Sequence, residues 1–352
     1  VYKISKTGEV IAQSAFPKAD SNYALHFGFP KKNGNLLFMG ILADTVNSYL
    51  ARYTYLCELT PDLEMVWETI DAIPSPPVDT TRHYPRNFLI TPEEEIIIQG
   101  TVDTVRYGYN DLLYLTKYDM QGNRLQFHLY PSWKDHGLAS ELLFNSDSTG
   151  FYLIGALSLN SISKDWIEFD LELNLLSSGT LTDENSLLWS PISVVRLDNG
   201  NIVIANQLAE FDNWYSYGVE MRLYNTEFEL LKTSIYYTEK TVYTPLKRGI
   251  GHVNDSCIWV AAFENNPTGI LGKEDIIFLV YDSELNLLGE KIHQGDRRYW
   301  ILDLLPCSDS GCLIAGIVAE YEGADWADNY LLKVQLHDVV TSTIEHFNPD
   351  QR

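Results

Sequence analysis

Aromatic, cationic and histidine side chains gather in or next to the polar segments of this chain, and they are the residues best suited to binding chemistry. The candidate binding residues are His26, Arg82, His83, Trp133, His136, Trp189, Tyr243, Arg298 and Trp300. Exposed aromatic rings stack on sugar faces or anchor protein partners, and arginine adds charge-assisted hydrogen bonds. The alternative is that these side chains are buried between neighbouring elements of the fold.

Three of these residues, His26, His83 and His136, precede apolar runs in three successive units of the chain. Three imidazoles can hold a metal ion and leave one position open. However, the histidines stand 14, 17 and 19 residues before Gly40, Gly100 and Gly155, the small residues that close those runs. No His-x-x-x-His or Cys-x-x-Cys motif accompanies them. We therefore expect polar contacts here, with no metal and no other cofactor.

Calcium is the one cation for which the sequence offers a second option. Four carboxylates crowd a single segment, at Glu320, Glu322, Asp325 and Asp328. Calcium takes carboxylate oxygens as ligands, but the spacing does not match the D-x-[DN]-x-[DN]-G loop. The ligand types therefore allow calcium, but no calcium-binding motif supports it.

Motifs of the common catalytic classes do not occur in this sequence. There is no G-x-S-x-G, H-E-x-x-H or P-loop pattern. A glycosidase or lyase needs only a pair of carboxylates, and the 48 acidic side chains leave that possibility open. The net charge of −23 argues against nucleic acid and against anionic membrane surfaces as partners.

The elements that must position these side chains repeat along the chain. The stretch from Leu279 to Glu290 has the pattern of a strand, a tight turn and a second strand. Copies of this hairpin place their turns at Gly8, Leu63, Gly122, Leu173, Phe228 and Leu285, at steps of 55, 59, 51, 55 and 57 residues. A second hairpin, with a Gly-rich or acidic turn and an apolar return strand, lies between successive copies. Two hairpins per repeat are typical of a four-stranded propeller blade.

This pattern resembles the β-propeller repeat proteins that are common among secreted bacterial proteins. The resemblance depends on Asp198-Asn199-Gly200-Asn201 and Lys117-Tyr118-Asp119 and covers essentially the whole chain. It implies the architecture and an extracellular, cell-surface or periplasmic location, and it says almost nothing about activity. The start within a strand, at Val1-Tyr2-Lys3-Ile4, suggests a mature chain whose leader has been removed.

The predicted fold is a single all-β propeller domain over residues 1–352. Residues 1–16 form an extra N-terminal hairpin, and six four-stranded blades follow. The alternative is seven blades, one of them reduced. The last copy of the hairpin, from Leu331 to Ile344, is worn. Cys307 and Cys312 flank one turn, so they either form a disulfide or are two free thiols near a turn.

For function, we expect a non-catalytic binding or scaffolding module of the bacterial envelope or exterior. Its partner would be a protein in a cell-surface assembly or a glycan, bound through the loops at one rim of the propeller. No transmembrane segment is predicted, because no apolar run reaches the required length. The alternative is a polysaccharide-acting enzyme, a glycosidase or lyase, with carboxylates in its central pocket.

Overall fold

The computed structural model describes residues 1–5, 9–14, 21–44, 52–71, 81–104, 111–134, 140–155, 164–181, 192–209, 216–238, 241–243, 248–265, 274–295, 297–319 and 328–340. By their contacts the residues group into two compact units. One unit contains Val1–Gly137 and Phe169–Leu175, and the other contains Leu138–Glu168 and Leu176–Arg352. No helix among the described residues is long and apolar enough to span a membrane.

The first unit contains the N-terminal hairpin and the first two blades. The hairpin pairs β1 (Tyr2–Ile4) with β2 (Val10–Gln13). The first blade consists of β3 (Ser21–Pro30), β4 (Leu36–Asp44), β5 (Arg52–Leu59) and β6 (Met65–Asp71). The second blade consists of β7 (Thr81–Ile90), β8 (Ile96–Thr104), β9 (Asp111–Tyr118) and β10 (Arg124–Lys134).

Four further blades follow along the chain. The third consists of β11 (Ser140–Phe144), β12 (Gly150–Gly155), β13 (Lys164–Asp170) and β14 (Leu175–Leu181). The fourth consists of β15 (Ile192–Arg196), β16 (Ile202–Ala209), β17 (Ser216–Tyr224) and β18 (Leu230–Tyr237). In the fifth, a split first strand, β19 (Thr241–Tyr243) and β20 (Ile250–Asn254), precedes β21 (Cys257–Asn265), β22 (Glu274–Tyr281) and β23 (Leu287–His293). The described strands of the sixth are β24 (Arg298–Pro306), β25 (Cys312–Ala319) and β26 (Asp328–Val334).

The predicted fold class is confirmed: the chain is an all-β propeller of six four-stranded blades with an additional N-terminal hairpin. The alternative of seven blades is not retained. One local expectation was wrong. The worn hairpin copy predicted from Leu331 contains β26, but the short helix α1 (Leu336–Val340) follows it instead of a return strand. Val339 of this helix is fully buried in a cluster with residues of the fifth blade.

The turns explain why the repeat was visible in the sequence. Five of the six turn positions used for the alignment lie in the described residues, and all five have left-handed backbones, with φ of 65° at Leu63, 81° at Gly122, 63° at Leu173, 61° at Phe228 and 55° at Leu285. A left-handed residue after a type I turn is the usual connection of a hairpin loop of this length. The same geometry recurs in the other hairpins, for example at Gly34, Glu94 and Ser310.

Two interactions fix the turn of the fifth blade. In the fifth blade the Asp282 carboxylate accepts hydrogen bonds from the backbone N–H groups of Glu284, at 3.0 Å, and Asn286, at 2.8 Å. An aspartate that bonds the backbone two residues ahead favours a turn. Leu285, which adopts the left-handed conformation, is 1 % exposed and belongs to the core between the fourth and fifth blades. Burial of its side chain offsets the conformational cost that a non-glycine residue carries there.

The glycines that recur in the second strand of several blades have a steric reason. A Cβ atom on Gly100 would lie 2.4 Å from the Tyr114 hydroxyl and 2.5 Å from the carbonyl oxygen of Tyr84. A Cβ atom on Gly316 would lie 2.4 Å from the ring of Tyr330. These glycines therefore make room for a tyrosine ring on the third strand of their own blade.

The four cysteines of the chain are all free, so the disulfide between Cys307 and Cys312 is not formed. The register of the hairpin gives the reason. Cys312 pairs with Pro306, whereas the N–H of Cys307 donates to the carbonyl oxygen of Gly311 at 2.8 Å. The two cysteines are therefore not cross-strand partners.

Buried charges in the blades are paired, and Glu58 on β5 shows how. It is 3 % exposed and accepts hydrogen bonds from Lys31 Nζ at 2.6 Å, Asn35 Nδ2 at 2.5 Å and Trp67 Nε1 at 2.7 Å. Burial alone would raise the pKa of this carboxyl, but the donors from Asn35, Lys31 and Trp67 outweigh it and hold the pKa below 4.5. The carboxylate thus ties the first hairpin of its blade to the third and fourth strands.

We expect the Glu58→Gln variant to lose about 2–3 kcal/mol of unfolding free energy at neutral pH, because a charged acceptor is removed and Lys31 is left buried without it. A lowered folded-state pKa contributes stability that is present above the unfolded value and lost as the pH falls. The wild type should therefore lose this increment below pH 4.5, and the variant should not. Urea unfolding at several pH values measures both effects. Glu93→Gln, at an exposed position, is the matched control, and equal losses in both variants would contradict the assignment.

Candidate functional site

The structure describes the side chains of only two of the predicted binding residues, Arg298 and Trp300 on β24. The backbones of five others lie in strands, His26 in β3, Arg82 and His83 in β7, Trp133 in β10 and Tyr243 in β19. His136 and Trp189 lie outside the described residues. The interpretation that the three histidines lie near one another, and that the binding residues share one rim of the propeller, therefore stays a prediction. Of the acidic segment considered for calcium, only Asp328 is described, at the start of β26.

Arg298 and Trp300 contact each other. The Arg298 guanidinium carbon lies 4.7 Å from the centroid of the Trp300 ring, within the range of a cation–π interaction. Arg298 Nε also pairs with the Glu274 carboxylate at 3.1 Å, and Glu274 is 1 % exposed. The arginine therefore has a buried anchor on the fifth blade, and it holds one face of the tryptophan in place.

A second group of polar residues lies on or beside the first strands of four successive blades. It consists of Glu141 on β11, Ser193 on β15, Arg248 just before β20, and Asp303 on β24. All four belong to the same compact unit. Three of them lie at or near a position that pairs with a small residue on the second strand. Ser193 pairs with Ala205, Glu141 follows the partner of Gly155, and Asp303 lies two residues after the partner of Gly316.

Arg248 is the centre of this group. Its backbone N–H donates to the Glu141 carboxylate at 3.1 Å, its Nη1 contacts Asp303 Oδ2 at 3.2 Å, and its carbonyl oxygen accepts from the N–H of Leu304 at 3.0 Å. Arg248 has a left-handed backbone, with φ of 51°. Such a conformation in a non-glycine residue persists only where its surroundings hold it. Here the third and sixth blades supply these contacts.

Ser193 fixes the residue that follows this arginine. The N–H of Gly249 donates to Ser193 Oγ at 2.8 Å, and Ser193 is 1 % exposed. Because Gly249 is directly bonded to Arg248, the serine restrains the arginine backbone from the fourth blade. A buried hydroxyl that accepts a backbone N–H has a structural role at this site.

Asp303 has the electrostatics of a group that could transfer a proton. Burial raises the pKa of its carboxyl, and Arg248 opposes that shift only in part. Oδ2 contacts Arg248, whereas Oδ1 has no hydrogen-bond partner among the described residues. A carboxyl whose protonated form is favoured by burial is a candidate general acid.

Glu141 supplies a second carboxylate to the same site. It is 8 % exposed, and its Oε1 accepts from the Arg248 N–H. Glu141 therefore contacts the backbone of Arg248 and Asp303 contacts its guanidinium, although the two acidic residues lie more than 160 residues apart in the chain. Two acidic groups in different environments are the arrangement that separates an acid from an ionised partner.

A group of possible metal ligands occurs elsewhere among the described residues, in and next to the turns of the fourth and fifth blades. Single ligand atoms of Asp198, His252 and Asp255 lie within 4.8 Å of one another. The two Asp255 oxygens accept the backbone N–H groups of Asp198, at 2.6 Å, and Asn199, at 3.0 Å. These hydrogen bonds account for the cluster as a link between two turns.

Comparison with known proteins gives structural likeness alone. No family model and no curated protein matches the sequence. A NanB sialidase from Streptococcus pneumoniae has a TM-score of 0.54 at 10% identity, over 93% of this chain and 71% of that one. A protein of unknown function from Dyadobacter fermentans has a TM-score of 0.55 at 11% identity, over 91% and 99%. An α-L-arabinofuranosidase of Fusarium graminearum has a TM-score of 0.50 at 10% identity, over 92% and 96%.

These likenesses establish the propeller fold, and they overturn the expected function. We predicted a non-catalytic binding or scaffolding module, and that prediction is wrong, because the similar structures include a sialidase and an arabinofuranosidase. Sequence motifs gave no sign of the group around Arg248, in which Glu141 contacts the backbone N–H and Asp303 contacts the guanidinium.

Proposed function

We propose that the protein is a glycoside-acting hydrolase whose site is the group formed by Glu141, Arg248 and Asp303. The observation that supports this most is that two carboxylates contact Arg248, Glu141 at its backbone N–H and Asp303 at its guanidinium. Most glycosidases use two acidic side chains, one that protonates the leaving oxygen and one that stays ionised. The sialidase and the arabinofuranosidase with similar folds add support, since they belong to this broad class.

In this proposal Asp303 is the general acid. Its burial favours the protonated form, and its carboxyl would donate the proton to the glycosidic oxygen. Glu141 is the partner carboxylate, and it accepts the backbone N–H of Arg248. Arg248 orients both groups and stabilises negative charge during the reaction.

The substrate class that fits is a glycan, and we place the protein outside the bacterial cytoplasm, where polysaccharides are met. This location also agrees with the resemblance to secreted bacterial propeller proteins and with the acidic composition of the chain. A protein partner is not part of the proposal. Of the two enzyme classes considered from the sequence, hydrolysis is preferred because Asp303 is suited to donate a proton to a leaving group.

The purified chain should hydrolyse at least one member of a panel of 4-methylumbelliferyl glycosides and soluble polysaccharides, read by fluorescence and by reducing ends. The panel should include α-arabinofuranoside, β-galactoside and N-acetylneuraminoside. Asp303→Asn, purified in the same way, serves as the blank for contaminating activity. If the wild type and the blank are equally inactive or equally active on every compound, the proposal fails.

A further inference from the structure

We propose that Trp300 is the platform on which a sugar ring of the substrate stacks, next to Asp303. This inference rests on the proposed hydrolase function and adds the residue that positions the substrate. Trp300 and Asp303 are on the same strand, β24, three positions apart in sequence. In a regular strand an odd separation would place the two side chains on opposite faces of the sheet.

A β-bulge reverses that expectation. Trp300 pairs with Ile317 on β25, Ile301 pairs with Gly316, and Asp303 pairs with Ala315, so Leu302 is the extra residue. Ile317 and Ala315 are two residues apart on a regular strand and point to the same face. Because cross-strand partners share a face, the bulge brings Trp300 and Asp303 to that face as well. Their separation along the strand is about 7 Å.

Arg298 extends the same row. It pairs with Ala319, which lies two residues beyond Ile317. The cation is fixed by the buried Glu274 carboxylate and lies over one face of the Trp300 ring. A platform that is held by its neighbours before the substrate arrives loses little conformational entropy on binding. The row Arg298, Trp300 and Asp303 therefore joins a preorganised ring to the proposed acid.

The face that carries this row is more open than the opposite face of the same strand. On β25, Leu313, Ala315 and Ile317 are half-buried, whereas Cys312 and Ile314, which point the other way, are 0 % exposed. The occupant we infer is a single sugar ring, since sugars present an apolar C–H face to an aromatic ring and hydroxyl groups to charged neighbours. Its position beside Asp303 would bring the glycosidic oxygen to the acid.

Affinity electrophoresis in gels containing arabinan, galactan, xylan or laminarin tests the inference apart from turnover. The Asp303→Asn variant, which should bind without cleaving, is the reference. In that background Trp300→Leu keeps an apolar side chain but has no aromatic face, and we expect at least tenfold weaker retardation by the retained polysaccharide. Trp300→Phe, with a smaller ring, should bind roughly threefold more weakly. Tyr237→Leu is the control, because Tyr237 stacks on Tyr217 in the fourth blade, away from this row.

The outcomes separate the inference from the proposed function. If Asp303→Asn is inactive on the panel yet Trp300→Leu is retarded like its parent, the platform is wrong and the hydrolase stands. If none of the polysaccharides retards Asp303→Asn, the platform is also wrong, whatever the panel shows. If Asp303→Asn retains full activity, the hydrolase site is wrong. Circular dichroism checks that each variant is folded. If Trp300→Leu unfolds at a lower temperature than its parent, Trp300→Phe replaces it as the test. Unchanged retardation of Trp300→Phe would then overturn the inference.

Discussion

The Asp303→Asn variant is expected to hydrolyse the substrate of this protein about a thousandfold more slowly than the wild type. Proton donation by a positioned side chain contributes about 10²- to 10⁴-fold to rates, and asparagine has no proton to give. Asparagine has nearly the same size and shape as aspartate, so we expect β24 to keep its structure. Only the contact with Arg248 should become weaker. The loss should fall on kcat, with KM changed little, because the proton is transferred only in the transition state.

The matched control is Asp309→Asn, in a turn of the same blade. Asp309 is exposed, and its carboxylate interacts with Lys333 and with the N–H of Gly311. This variant should keep full activity. An Asp303→Asn variant with more than about a tenth of the wild-type kcat would show that Asp303 is not the acid.

The pH profile gives a second readout of the same prediction. Because burial raises the pKa of Asp303 above 3.8, the protonated form persists to higher pH than for an ordinary aspartate. Activity that depends on this proton is lost as the pH rises through the raised pKa, so Asp303 sets the alkaline limb of the profile. Arg248 lowers that pKa in part, and its removal should move the limb to higher pH. Arg248→Gln tests this, and a limb that stays in place would contradict the pairing of the two residues.

The fold was predictable from the sequence because each blade depends on local signals. The turn at Asp282 carries an aspartate that bonds its own backbone, and Leu285 follows it in the left-handed position. The same pair of features recurs at Asp119 and Gly122 and at Asp170 and Leu173, at nearly constant spacing. Such contacts span four residues or fewer, so their residue types can be found in the sequence.

The candidate site was not predictable in the same way, because its contacts are long-range. Glu141 and Arg248 are 107 residues apart, and Arg248 and Asp303 are 55 apart. No local pattern distinguishes these three residues from the many other charged side chains of the chain. The bulge at Leu302 also depends on the pairing of β24 with β25, and it decides which face Asp303 shares.

The Arg222→Met variant is expected to lose about 3–5 kcal/mol of unfolding free energy, the largest stability effect that we predict for a single substitution. Arg222 and Glu220 are two residues apart on β17, so they share one face, and Arg222 Nη2 contacts Glu220 Oε1 at 3.0 Å. They are 9 % and 5 % exposed. Removing one member of a buried ion pair leaves the other charge in a medium that solvates it poorly.

A double substitution should show that the cost comes from the isolated charge and not from the lost contact. Replacing Glu220 by leucine together with Arg222→Met puts two apolar side chains where the pair was, and we expect it to restore at least half of the lost stability. The exposed pair of Lys3 and Asp62, at 3.3 Å, is the control, since Lys3→Met should change the unfolding free energy by less than about 1 kcal/mol. Urea unfolding of all the variants gives the coupling energy between positions 220 and 222. The contrary result is a double variant whose loss of unfolding free energy equals the loss in Arg222→Met plus the loss caused by replacing Glu220 alone. The pair would then be a net stabilising interaction, and the assignment of the cost to an uncompensated charge would be wrong.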